Sequence, residues 1–70
     1  MNWIDVPDSS TIARFRYDDQ SQTLAVEFKN GGRYEYFDVP TAVYEGMRSA
    51  PSKGQYLAQT IKNNYRYART

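Results

Sequence analysis

Asn30-Gly31-Gly32-Arg33-Tyr34-Glu35-Tyr36-Phe37-Asp38-Val39-Pro40 holds a turn, a strand and the approach to a helix in eleven consecutive residues. Asn and Gly adopt positive φ at little cost, so Asn30-Gly31-Gly32 predicts a hairpin turn. Tyr34 and Tyr36 lie two apart and share one face of a strand, while Arg33, Glu35 and Phe37 take the other. Pro40 cannot donate to a sheet but suits the start of a helix, so the strand is expected to stop near Asp38.

Working back, Leu24, Val26 and Phe28 alternate with Ala25, Glu27 and Lys29, which predicts a half-buried strand over Thr23–Lys29. Parity then selects the loop between the two strands. A two-residue loop would set Phe28 against Arg33 and mix apolar with charged groups on one face. A three-residue loop, Asn30-Gly31-Gly32 with Gly32 left-handed, sets Phe28 opposite Tyr34 and Val26 opposite Tyr36. It also sets Glu27 opposite Glu35, a mildly unfavourable like-charge pair. The core face decides for the three-residue loop. Further back, Ile12–Tyr17 reads as another strand, with Phe15 and Tyr17 inward. Ile12 has the wrong parity for that face, so either a bulge lies before Phe15 or Ile12 packs at the sheet edge. Asp18-Asp19-Gln20-Ser21 reads as the connecting loop. Trp3, Ile4 and Val6 form a short extended segment limited by Pro7.

Forward of Pro40, Val43, Tyr44, Met47 and Ala50 follow helical spacing. Gly46 weakens this helix by about 1 kcal/mol relative to Ala, so it is short or closely packed. Pro51 ends it, and Ser52-Lys53-Gly54-Gln55 has the form of a capping box. A second helix is expected to run to about Asn64, with Tyr65–Thr70 extending it or fraying. The expected fold is α+β: a three-stranded antiparallel meander followed by two short helices packed on one face.

Seventy residues make one small domain, taken as residues 1–70. With neither Cys nor His in the chain, there is no disulfide, no thiolate metal site and no imidazole base. Ser9 and Ser10 therefore lack a His partner, and catalysis is not expected. Asp18 and Asp19 alone do not build a cation cage, and no glycine pattern for a nucleotide cofactor is present. No apolar run approaches the roughly 20 residues of a membrane span, and no signal peptide is visible at Met1-Asn2-Trp3-Ile4-Asp5. A cytoplasmic location is the default. Aromatics are 16% of the chain, seven of them Tyr, and large rings fill a small core efficiently.

The net charge of +1 hides an asymmetry. Residues 1–45 carry four basic side chains against eight acids, a net of −4, and residues 46–70 carry five basic side chains and no acid. That pattern suits either a solvated basic face or an anionic partner. Lys62, Arg66 and Arg69 recur near helical spacing, interleaved with Tyr65 and Tyr67, as a phosphate-tracking surface with stacking rings would require. Lys53 adds a further cation. Ser52, Lys53 and Gly54 could hold an anion at the start of the second helix, or serve only as its cap. Tyr34 and Tyr36 could stack on unpaired bases, but sharing a face with Val26 and Phe28 favours core packing.

In order along the chain, Ser9-Ser10 with Ile12, Tyr17, Leu24-Val26-Phe28, Gly32 before Tyr34-Glu35-Tyr36, Val39-Pro40, Ala50 with Ser52 and Gly54, then Tyr56 and Ile61 resemble the KTSC domain. That family takes its name from a domain at the C-terminus of some lysyl-tRNA synthetases and also occurs as a free-standing bacterial protein. Where its pattern carries Phe-Asn in the second helix, this chain has Leu57-Ala58. The resemblance implies RNA as a ligand. The combined expectation is a non-catalytic RNA-binding module acting through its basic C-terminal half, without a cofactor or metal. The alternative is a protein-interaction module using a sheet edge or the Trp3-Ile4 segment.

Overall fold

A computed structural model describes residues 3–70; Met1 and Asn2, which begin the stretch read above as lacking a signal peptide, lie outside the described residues. The chain forms β1 (Ile4–Asp5), β2 (Ile12–Asp18), β3 (Thr23–Phe28), β4 (Arg33–Tyr36), α1 (Thr41–Ser49), α2 (Lys53–Tyr56) with a π turn (Leu57–Ile61), and β5 (Tyr67–Arg69). The sheet is antiparallel in the order β1-β2-β3-β4-β5. The class is α+β as expected, with five strands rather than three. Among the described residues, no helix is long and apolar enough to cross a membrane.

Of the two alternatives for Ile12, the bulge is the one present. Ile12 pairs with Phe28, Arg14 with Glu27, and the register shifts between Ile12 and Arg14. The extra residue turns Ile12 onto the core face, where it is fully buried. β1 fills one edge by pairing Ile4 with Phe15 and Asp5 with Arg14. Trp3 lies beneath two guanidinium groups, with Arg14 and Arg16 at 4.6 and 4.9 Å from its ring centroid. The Trp3-Ile4 segment is therefore engaged within the domain.

The β3–β4 register differs from expectation by two residues. Val26 pairs with Tyr34, Leu24 with Tyr36 and Glu27 with Arg33. The hairpin closes at Phe28, whose N–H donates to the Gly32 carbonyl at 2.8 Å. Gly31 donates back to the Phe28 carbonyl at 2.9 Å and is the left-handed residue, with φ of 97°. The loop is thus Lys29-Asn30-Gly31, a turn followed by a glycine bulge. A two-residue slip keeps every side chain on its expected face, so the parity argument could not detect it. Charge separates the two registers: the expected one juxtaposed Glu27 and Glu35, whereas the observed one gives Glu27 an Arg33 partner at 3.5 Å, beside the Arg14 partner at 2.6 Å that the β2–β3 pairing supplies.

β4 ends at Tyr36, two residues before the expected stop, and Asp38 with φ of 59° turns the chain toward α1. Tyr44 and Met47 point α1 into the core, and Gly46 lies directly against the Tyr56 ring. The core is Val6, Ile12, Phe15, Tyr17, Leu24, Val26, Tyr36, Val39, Tyr44, Met47, Leu57 and Ile61. Tyr17 and Tyr44 stack at 4.4 Å, and the buried Tyr17 hydroxyl donates to the Val39 carbonyl at 2.5 Å.

The second helix does not reach Asn64. Beyond Tyr56 it widens into the π turn, in which Lys62 N–H donates to the Leu57 carbonyl at 2.8 Å. Asn64 then donates from its backbone to Ile61 and from its side chain to the Thr60 carbonyl, ending the helix. The terminal residues pair with β4 in place of continuing a helix. Phe37 N–H donates to Arg66 and Thr70 N–H to Arg33, each at 2.9 Å. An open edge of β4 offers backbone partners that a frayed helix end cannot, and that pairing overrides local helical spacing.

Candidate functional site

β5 extends the sheet beyond β4, and α2 with its π turn stands over that end of the sheet. Between them lies a groove of about 450 Å³. Its sheet side is aromatic, because direct cross-strand pairing brings Tyr67 beside Tyr36 and Arg69 beside Tyr34 on one face. Tyr34 and Tyr67 lie 5.7 Å apart, Tyr36 and Tyr67 also 5.7 Å, and Phe28 meets Tyr34 edge-on at 5.6 Å. Burial, with smaller contributions from Tyr34 and Tyr67, pushes the Tyr36 phenol above its ordinary range, so it stays neutral at physiological pH. The helix side presents Gly54, Leu57, Ala58 and Lys62. Ser10, Thr11, Lys29 and Asn30 occupy the remaining rim. Two lysines and no acid are among the described residues lining it.

The rim is held by local hydrogen bonding. Ser9 Oγ accepts from the N–H groups of Thr11 and Ile12 at 3.2 and 2.9 Å, which turns the chain into β2. Lys29 Nζ donates to the Ser9 and Pro7 carbonyls, tethering its charge beside the groove. Asn30 Oδ1 accepts from Gly32 N–H at 2.9 Å.

The six residues assigned to nucleic acid from the sequence are not all brought together. Lys62 and Tyr67 line the groove, and Tyr67, 58% exposed, is the one large hydrophobic side chain left open among the described residues. Arg69 flanks them on the same sheet face. Arg66 has the opposite strand parity; it pairs with Asp38 at 3.1 Å and lies over Phe37. Tyr65 is half-buried against the core. Lys53 donates to the Ala50 carbonyl at 3.3 Å. The helical spacing assumed for Lys62, Arg66 and Arg69 is absent, since Arg69 belongs to β5.

At the start of α2, Ser52 Oγ accepts from Gln55 N–H at 3.3 Å, as a cap does. The space above Gly54 is taken by Thr11, because a Cβ there would sit 2.6 Å from its hydroxyl oxygen. Phe28, Lys29 and Ala58 escaped the sequence-level assignment, which weighs Tyr34 as a stacking residue but favours core packing for it. The available signal was the period-2 alternation Tyr65-x-Tyr67-x-Arg69, which fits a strand as well as a helix end.

This arrangement defines a small α+β domain with a cationic, aromatic-lined groove between its last strands and its second helix. The chain belongs to the KTSC domain family, which matches residues 8–65. It is 48% identical over 61 residues to a lysine–tRNA ligase of Trichormus variabilis. That match covers 87% of this chain and 11% of the ligase, so the chain spans about a tenth of the length of these relatives. A protein of Stutzerimonas stutzeri is 39% identical over 62 residues, 87% of each chain. The crystal structure of a KTSC domain protein from Yersinia pestis superposes with a TM-score of 0.92 at 29% identity, covering 99% of this chain and 96% of that one.

Proposed function

We propose that this chain is a non-catalytic RNA-binding module. One observation carries the reading: the groove combines an open tyrosine with lysines and, among the described residues, no lining acid. RNA offers the two complementary chemistries, anionic phosphates and stackable bases. In this reading Lys62 and Arg69 hold phosphates beside Tyr67, while Lys53 and Arg66 contribute to the positive field of the C-terminal half. The names of the ligase relatives support it, since their substrate is itself an RNA.

The test is binding of short mixed-sequence RNA over a series of salt concentrations. Affinity should be micromolar or weaker near physiological salt, with a clear salt slope, because few phosphates are engaged. Lys62→Ala and Arg69→Ala should each lower that slope by about 0.7. Equal affinity in native and variant proteins, or no binding at low salt, refutes the proposal. A second reading, protein interaction, has its own observation: β5 forms a sheet edge and all three of its residues are exposed. Such pairing would respond weakly to salt.

A further inference from the structure

We infer that the groove is a slot for one unpaired nucleotide, so that the domain separates single-stranded from duplex RNA; this rests on the RNA reading above. The slot's two walls are unlike. On the sheet side, Tyr34 and Tyr67 present neighbouring rings. On the helix side, Ala58 presents a small side chain with Lys62 four residues further on, while the space over Gly54, one turn earlier, is filled by the Thr11 hydroxyl. An aromatic wall facing the small Ala58 side chain suits a flat ring. The cation at the end of the helix-side wall suits the phosphate attached to that ring.

The volume agrees with one occupant of this kind. About 450 Å³ lies toward the small end of small-ligand clefts, roughly 300–1,000 Å³. A base inside a duplex is stacked and paired, and it must be extruded before it can enter such a slot. An unpaired base incurs no such cost. Charge argues for an anionic occupant and against a cationic one: Lys29 is tethered on one side of the opening and Lys62 stands on the helix side, with no acid lining the slot among the described residues. Stacking on tyrosine rings accepts any base, so preference among bases should be slight.

The experiment uses the native chain with AMP, UMP, ribose 5-phosphate and N-acetyltryptophanamide, following backbone amides by NMR. AMP and UMP should shift Gly54, Ala58, Lys62 and Tyr67, and ribose 5-phosphate at the same concentration should move Lys62 at most. Ala58→Leu fills the slot while keeping every charge, and Ala58 is exposed, so the core is untouched. It should weaken single-stranded RNA about tenfold while leaving duplex affinity and the salt slope unchanged. Tyr67→Ala should weaken the single strand similarly, and Tyr67→Phe should retain affinity. If RNA binds with the expected salt dependence but the nucleotides move none of these amides and Ala58→Leu binds normally, the slot is overturned and the RNA reading survives. If the tryptophan amide shifts them and the nucleotides do not, the slot takes an aromatic side chain of a protein, and the inference is likewise overturned. Nucleotides in the slot without any RNA binding at low salt would instead remove the RNA reading.

Discussion

Gly46→Ala should destabilise this domain, although Ala is the better helix former. Gly46 lies inside α1, where replacement by Ala favours the helix by about 1 kcal/mol. Against this, the new Cβ would press on the Tyr56 hydroxyl and lie 2.9 Å from ring carbon Cζ and 3.3 Å from Cε2. Tyr56 cannot swing away freely. Its ring packs against the core, and its hydroxyl donates to the Val43 carbonyl at 3.1 Å. Displacing the ring costs about 1–3 kcal/mol in packing, and losing the hydrogen bond about 1 more. The balance is a net loss of about 1–3 kcal/mol. In a domain of this size each kcal/mol corresponds to about 4–8 °C in melting temperature. Thermal and urea unfolding followed by circular dichroism would read the change. Tyr56→Phe removes the most crowded atom, so Gly46→Ala should cost less in that background than in the native one. A Gly46→Ala protein that melts above the native one would show that helix propensity outweighs contact with Tyr56.

Two further substitutions probe the polar chemistry of the sheet. Tyr17→Phe keeps the stack on Tyr44 but leaves the buried Val39 carbonyl without its donor, and should cost about 1–3 kcal/mol in urea unfolding. The hydrogen bond from Arg14, aided by the Arg14 and Arg33 charges, holds the Glu27 carboxyl below its ordinary value of 4.5. A depressed folded value makes this contribution complete above about pH 4.5 and lost as pH falls below it. Glu27→Gln should therefore lower the urea midpoint at neutral pH and reduce its fall on acidification; an unchanged acid profile would refute the assignment.

Much of this architecture is legible in the sequence because strand alternation and helix breakers act locally. The faces of β2, β3 and β4 follow from period-2 alternation, and one residue of wrong parity, Ile12, marked where either a bulge or edge packing had to occur. Pro51 and Ser52 mark the boundary between the helices because their chemistry permits little else there. Family membership was legible too, since an ordered set of short motifs is specific where each alone is weak.

Other features needed tertiary contacts. The β3–β4 register slipped by two residues because parity is blind to even shifts, and a cross-strand ion pair of Glu27 with Arg33 distinguishes the two pairings. The C-terminal strand depends on the open edge of β4, which no local window of sequence contains. The groove follows from that pairing: only when Tyr67 joins Tyr34 and Tyr36 across the sheet do Lys62 and Ala58 of the π turn face an aromatic wall. The sequence by itself determined a basic, tyrosine-bearing C-terminal half. Which of its cations share a surface was decided by strand pairing, because Arg69 lies in β5 on the face of Tyr67, whereas Arg66, just before β5, pairs with Asp38 and lies over Phe37.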